Sequence, residues 1–140
     1  MNQIKVKAEA EIKPTEDPEK VKRAIQNLIL NPAIKTFQTG EKSLLIAEAE
    51  GEDGLSKLYN LFRQERIRDA ARKLLFKGMK GNTITFYLNK QVAYVEHISF
   101  CKPIAESPLG PIKIEITCND PRALIDWLAP SSVAGRAGAI

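Results

Sequence analysis

The sequence predicts an α+β domain in which helices pack on one face of a mainly antiparallel or mixed β-sheet. Two observations favour this class. Residues 3–13 alternate apolar and charged side chains, as expected of a strand with one buried face and one wet face. The elements that follow give the order β-α-β-β-α-α-β-β-β-α, without a regular alternation of strand and helix. That order is typical of antiparallel strands with helices gathered on one side.

The length and composition predict one domain. At 140 residues the chain is close to the commonest domain size, and its 44% hydrophobic and 27% charged content is ordinary for a globular protein. We place this domain at residues 1–130. The last residues, 131–140, are small and rich in Gly and Ala, which favours a flexible C-terminal tail.

The first part of the chain carries the clearest signals of secondary structure. Asp17 is a suitable N-cap, and Pro18 occupies the first helical position, where its missing N–H needs no partner. The predicted elements are a strand over 3–13, a helix that starts at Pro18 and stops at Asn31-Pro32, and two paired strands over 33–38 and 43–50.

The middle of the chain predicts two helices. Two apolar clusters, over 55–62 and 67–75, fall on faces of the helical wheel that differ by roughly 150°. One straight helix would not turn both faces to the core, so we expect a break near Arg63–Arg66 and an end at Gly78. The predicted core residues are Leu55, Leu58, Tyr59 and Phe62 in the first helix and Ile67, Ala70, Ala71, Leu74 and Leu75 in the second.

The last part predicts three strands and a final helix. A hairpin turn at Asn89-Lys90-Gln91 would join the first two of these strands. Pro121, which follows Asn119 and Asp120, marks the start of the helix. The predicted elements are strands over 82–88, 92–101 and 111–118, and a helix that runs through Trp127-Leu128 and ends at Pro130.

No constellation of catalytic or metal-binding residues is evident in the sequence. The single histidine, His97, lies in a predicted strand without Cys, Asp or Glu at ligand spacing, which favours a satisfied or surface side chain. Glu52 and Asp53 precede a helix, where capping explains carboxylates better than catalysis does. We therefore expect no enzyme, no cofactor, no metal and no small-molecule substrate.

The cysteines and the absence of long apolar segments predict the compartment. Cys101 and Cys118 are interpreted as small buried residues of a reducing compartment, and a disulfide between neighbouring strands is the alternative. Residues 1–13 lack the continuous apolar segment of a signal peptide, and no stretch approaches the ~20 apolar residues of a membrane span. A cytoplasmic protein without membrane contact is expected.

The charge of the chain is concentrated in a basic stripe over residues 57–80. Eight bases and two acids give this stripe a charge of +6, while the whole chain carries only +4, so the remaining residues sum to −2. Such a stripe attracts polyanions, and its side chains would contact successive phosphates. The alternative is a solvated polar face on an amphipathic helix. The candidate nucleic-acid-binding residues are Arg63, Arg66, Arg68, Arg72, Lys73, Lys77 and Lys80.

Four motifs together resemble an archaeal family of unknown function, uncharacterised protein family 0201. The motifs are L-N-K-Q at Leu88–Gln91, P-L-G-P-I at Pro108–Ile112, D-W-L-A-P at Asp126–Pro130 and the basic segment Arg63–Arg72. The resemblance covers residues 1 to about 130. It implies homodimers and a fold similar to that of the large-subunit ribosomal protein that binds 5S ribosomal RNA. Members of the family have been labelled RNA-binding on that fold similarity.

Two hypotheses of function follow. The first is a non-enzymatic RNA-binding protein, dimeric as the resemblance implies, whose basic stripe contacts the phosphate backbone. The alternative is a homodimeric interaction module without RNA affinity, in which Trp127 and edge strands supply the contacts. The two hypotheses differ in the steep salt dependence that phosphate contacts require.

Overall fold

The structure is a computed structural model that describes residues 3–40, 42–64, 66–101 and 110–131. The strands are β1 (Lys5–Ile12), β2 (Ala33–Thr39), β3 (Lys42–Glu50), β4 (Met79–Lys80), β5 (Thr83–Asn89) and β6 (Pro111–Thr117). The helices are α1 (Pro18–Gln26), α2 (Ser56–Gln64), α3 (Arg68–Lys77), α4 (Lys90–Tyr94) and α5 (Pro121–Leu128), with a 3-10 turn at Glu52–Leu55. From residue 132 onward, the predicted tail lies outside the described residues.

The strands of the described residues form one antiparallel sheet in the order β2-β3-β1-β6-β5-β4, which confirms the predicted α+β class. At its centre β1 pairs with β3 and β6, so that Ala8 lies opposite both Ala47 and Ile114. The predicted alternation along β1 is confirmed, because the buried side chains of this segment are Ile4, Val6, Ala8, Ala10 and Ile12. These residues join the core formed with the helices.

The opposite face of the sheet carries charges of both signs. We call it the open face. Opposite charges meet across neighbouring strands at Lys5–Glu50, Lys7–Glu48, Lys7–Glu115 and Glu9–Lys113. Such cross-strand pairs stabilise a solvent-exposed sheet face. Because the charges are of both signs, this face has little net attraction for a polyanion.

The predicted starts of the first and last helices are confirmed, whereas the predicted stop of the first at Asn31-Pro32 was wrong, because α1 ends at Gln26. The Asp17 side chain accepts a hydrogen bond from the Glu19 N–H at the start of α1, and the Asp120 side chain accepts one from Ala123 at the start of α5. Proline occupies the first position of both helices. The break between α2 and α3 is also confirmed, since α2 ends at Gln64 and α3 begins at Arg68.

Gly78 ends α3 as predicted, and its lack of a side chain also allows a close approach to β5. The Gly78 N–H donates to the Leu74 carbonyl, and the Gly78 carbonyl accepts from the Thr85 N–H. A Cβ at this position would lie 1.9 Å from the Thr85 carbonyl oxygen. Glycine is therefore required for α3 to dock against the sheet at this point.

The prediction of the buried face of α3 was partly wrong. Ala71 and Leu75 are buried as expected, but Ala70 is exposed and Leu74 is 36% exposed. Helix α3 contacts the core through Ala71 and Leu75, which lie one helical turn apart. The adjacent positions Ala70 and Leu74 therefore face outward. The exposed surface of α3 therefore mixes apolar side chains with its bases.

The predicted strand over 92–101 and the predicted hairpin turn before it were wrong. Residues 90–94 form α4, and Asn89 is its N-cap, with a side chain that accepts from the Val92 N–H. Of the segment that follows, Phe100 makes an isolated bridge to Leu88. The β-branched residues suggested a strand, but the Asn89 cap provided a competing signal for a helix start.

A buried ion pair links α4 to the segment before α1. The Lys90 side chain is 4% exposed, and its Nζ lies 2.9 Å from Glu16 Oε1 and 2.7 Å from the Glu11 carbonyl oxygen. The Glu16 side chain is 8% exposed and also accepts from the Lys13 N–H. A buried ammonium needs such partners, because removal from water is costly for a charge.

Because this pair is buried, replacement of one partner should be strongly destabilising. Glu16→Gln keeps the size and hydrogen-bonding oxygen of the side chain but leaves the Lys90 charge uncompensated. We expect a loss of about 3 kcal/mol in the free energy of unfolding, measured by urea denaturation. Glu11→Gln, which removes the part-exposed pair with Lys13, should lower it by less than about 1 kcal/mol. Equal losses in the two variants would contradict this account.

The described helices include none that is long and apolar enough to span a membrane.

Candidate nucleic-acid interface

Three bases of the stripe bind the carbonyl ends of helices. The last four carbonyls of a helix lack partners within the helix and need donors from elsewhere. Lys57 Nζ donates to the Gln26 carbonyl at the end of α1, at 2.7 Å. Arg63 and Arg72 do the same at the end of α5. The positive charges also compensate the partial negative charge at these helix ends.

Arg63 makes the most extensive of these contacts. Its Nη1 donates to the carbonyls of Tyr59 and Leu128 at 2.9 and 3.2 Å, and its Nη2 donates to that of Trp127 at 3.2 Å. The guanidinium lies 3.3 Å from the centre of the Tyr59 ring, and the centre of that ring lies 4.9 Å from that of Trp127, with the two planes tilted by 33°. The pKa of Arg63 is lowered from its ordinary value, and burial is the main cause. Tyr59 opposes this shift, and the nearby charge of Arg68 adds to it. Arg63 therefore holds α2 against α5.

Arg72 holds the same helix end from α3. Its Nη1 lies 3.3 Å from the Ala129 carbonyl oxygen and 2.8 Å from Asp126 Oδ1. The guanidinium also lies 4.9 Å from the centre of the Phe76 ring. Arg63 and Arg72, both predicted as nucleic-acid-binding residues, thus have structural partners that the sequence did not reveal.

The other predicted binding residues lie at the surface of the protein. We call them the outer bases: Arg66, Arg68, Lys73, Lys77 and Lys80. Arg68 is half-buried and the rest are exposed. Within the described part of the chain, none of them forms an ion pair with a carboxylate. At ~1.5 Å per residue, Arg68 and Lys77 stand about 14 Å apart along α3.

A cleft opens at the break between α2 and α3. Its volume is about 510 Å³, and its lining residues are Arg63, Arg66, Arg68 and Asp69. Arg66 lies in the break and not in α3, and its backbone adopts a left-handed conformation with φ of 56°. Side chains from α2, from α3 and from Arg66 between them thus meet at one concave site.

The remaining candidates from the sequence have no clustered geometry. His97 is exposed in the loop after α4, and Glu52 and Asp53 are exposed in the first turn of the 3-10 helix. Cys118 is buried, which raises the pKa of its thiol, Cys101 is half-buried, and the two are not bonded to each other. The described residues contain no group of three or more His, Cys, Asp or Glu side chains arranged to hold a metal ion.

Comparison with known proteins places the chain in a family. A family model described as RNA binding matches residues 5–118. A UPF0201 protein of Sulfurisphaera tokodaii is 48% identical over 94% of this chain and 90% of its own length. The chain belongs to the UPF0201 family. A UPF0201 protein of Aeropyrum pernix is 40% identical over 96% of this chain and 91% of its own length.

Solved structures of archaeal proteins share the fold. The crystal structure of a UPF0201 protein from Methanococcus jannaschii superposes with a TM-score of 0.81 at 33% identity, covering 91% of this chain and 94% of that one. A DUF54 protein from Archaeglobus fulgidus, 20% identical over 88% of this chain and 93% of its own, has a TM-score of 0.64 and shows a likeness of fold. The predicted family resemblance is confirmed, and the implied likeness to a ribosomal protein stays a prediction.

The role of Arg63 as an anchor can be tested by a conservative replacement. Arg63→Lys keeps the charge but loses the planar fork that reaches several carbonyls. We expect a loss of about 1.5–3 kcal/mol in the free energy of unfolding, because hydrogen bonds from a charged donor are broken. Trp127 is the only tryptophan of the chain, so its fluorescence reports directly on the end of α5.

The matched control is Arg68→Lys, since Arg68 donates to no carbonyl within the described residues. This variant should unfold at the same urea concentration as the parent protein. If both variants lost the same stability and left the Trp127 emission unchanged, the anchoring role of Arg63 would be disproved.

Proposed function

We propose that this UPF0201 protein is a non-enzymatic, cytoplasmic RNA-binding protein that holds the phosphate backbone on its outer bases. The observation that carries the proposal is that none of these five bases forms an ion pair with a carboxylate among the described residues. The description of the matching family model as RNA binding supports it. The relatives named above carry no enzyme name, which agrees with a binding function.

The composition of the surface favours backbone contacts over base stacking. Proteins that bind single-stranded nucleic acid use exposed aromatic side chains, on which the nucleobases stack, in a groove lined by basic residues. In α3 the aromatic residue is Phe76, which is half-buried and lies beneath Arg72. Lysines and arginines spaced along a helix, by contrast, suit the regular phosphates of a duplex.

The open face provides a contrast within the same molecule. Its lysines lie opposite glutamates on neighbouring strands. A phosphate would meet repulsion from those carboxylates as well as attraction from the ammonium groups. The proposed RNA site therefore lies on the helical side of the protein.

Charge reversal on α3 tests the proposal. Lys73→Glu combined with Lys77→Glu should weaken binding of duplex RNA, because two phosphate contacts are lost. The slope of log K against log salt should become shallower by about 1.8, at about 0.9 for each contact. Arg72 is unsuitable for this test, because its reversal would break its contacts with α5.

The matched control reverses two lysines outside the stripe, Lys22 in α1 and Lys35 in β2. It makes the same change in net charge and should leave the salt slope unchanged. Binding is measured by fluorescence anisotropy of labelled RNA across a salt series. Equal weakening by the two double variants would indicate a non-specific effect of net charge and would contradict the assigned site.

A second candidate function, a homodimeric interaction module without RNA affinity, is favoured by the edge of the sheet. Strand β2 lies at the edge, and Phe37 on it is 46% exposed. Edge strands with an exposed apolar side chain are suited to pairing with another strand. Trp127 is less suited to this role than β2, because it is half-buried and packs against the Tyr59 ring.

Pairing through β2 predicts a specific outcome in light scattering. The parent protein should associate as its concentration rises, and Phe37→Lys should shift this association to higher concentration, because it places a charge at the paired edge. Lys35→Arg, on the same strand, serves as a control and should leave the association unchanged. A parent protein that stays monomeric at every concentration would exclude this candidate.

A further inference from the structure

The cleft between α2 and α3 has a composition that differs from the rest of the basic stripe. Along α3 the outer bases are spread over about 14 Å, whereas here Arg63, Arg66 and Arg68 line one cavity together with Asp69. The described residues of this lining, three guanidinium groups and one carboxylate, have a net charge of +2. Its volume of about 510 Å³ lies within the range of small-molecule sites.

The backbone conformation at Arg66 supports a specific use of this residue. Its φ of 56° lies in the left-handed region, where glycine is favoured and a long side chain is uncommon. Glycine would adopt this backbone conformation with less strain than arginine. The presence of arginine at this position is explained if its guanidinium is used in the cleft, since strained residues gather at binding sites.

The guanidinium groups of the cleft retain donors for a ligand. Arg63 has five N–H donors, and three of these bind carbonyls of α2 and α5. Two donors are therefore not used within the described residues. Because Arg63 is fixed by these carbonyls and by Tyr59, its positive charge is held in place before any ligand binds.

We propose that this cleft binds a phosphate monoester dianion at an RNA terminus, an inference that rests on the proposed RNA binding. A phosphodiester within a chain carries one negative charge, whereas a terminal monoester carries about −1.5 to −2 at neutral pH and three accepting oxygens. The terminal group thus matches the net charge of the lining. Arginine forks bind phosphate oxygens in pairs, so two or three of them suffice to surround one phosphate.

This assignment divides the basic stripe into two parts. The cleft holds the end of the RNA, and the bases further along α3 and on β4, Lys73, Lys77 and Lys80, follow the backbone away from that end. A terminal nucleotide placed in the cleft would bring the next phosphates toward Lys73. The predicted consequence is a preference for RNA whose end carries a phosphate.

The test compares RNA duplexes of one sequence with different ends. One has a 5′-phosphate, one a 3′-phosphate and one has hydroxyl groups at both ends, and each is titrated with the full-length protein in fluorescence anisotropy. We expect one phosphorylated duplex to bind roughly tenfold tighter than the hydroxyl duplex, as for a charge-assisted bidentate contact. The arm that shows the preference identifies whether the 5′ or the 3′ end is bound.

Three variants connect the preference to the cleft. Arg66→Gly accepts the left-handed backbone without strain, so it should remove the preference without lowering the unfolding midpoint. Arg68→Gln should also remove the preference. Lys77→Gln makes the same change in charge at the far end of α3 and should weaken all three duplexes by the same factor.

The possible results separate the two proposals. Equal binding of the three duplexes would overturn the terminal-phosphate site and leave RNA binding intact. A preference that persists in Arg66→Gly and Arg68→Gln would place the terminal phosphate elsewhere and would also overturn the site. Absence of binding to every duplex at low salt would overturn RNA binding, and the terminal-phosphate site with it.

Discussion

The carbonyl groups at the ends of short helices are the constraint on which this structure depends. Each helix leaves its last carbonyls without partners, and a buried acceptor without a donor is strongly destabilising. The donors come from distant side chains: Lys57 at the end of α1, Arg63 and Arg72 at the end of α5, and the Asn27 amide at the Ala93 and Tyr94 carbonyls of α4. Each of these contacts ties two helices together as it satisfies the backbone.

The same contacts explain why the charge of the stripe cannot be equated with a binding surface. Of its eight bases, Lys57, Arg63 and Arg72 are partners of backbone carbonyls. Their contribution is to the fold, and their charge balances the helix dipole where they bind. The remaining five are the outer bases, on which the proposed contacts with the RNA backbone fall. The surface proposed to bind RNA is thus smaller and more localised than the stripe that the sequence predicted.

The sequence predicted the parts of the fold that have a strong period and explicit end signals. The alternation in β1, the caps at Asp17 and Asp120 and the break before Arg68 all depend on local chemistry that is visible in the chain. Helix α4 was missed because five residues are too few for a helical period and β-branched residues suggested a strand.

The candidate site was less predictable than the fold, because its residues acquire their roles through contacts distant in sequence. Arg63 and Leu128 are 65 positions apart, and nothing near Arg63 indicates that it binds α5. The signal that existed was at the other partner: α5 ends at Leu128 and is followed by Ala and Pro, without the glycine that commonly satisfies a helix end. Such an end requires donors from elsewhere. Arg63 therefore serves the fold through three of its donors, and because those contacts fix it, it forms a rigid wall of the cleft at the α2–α3 break.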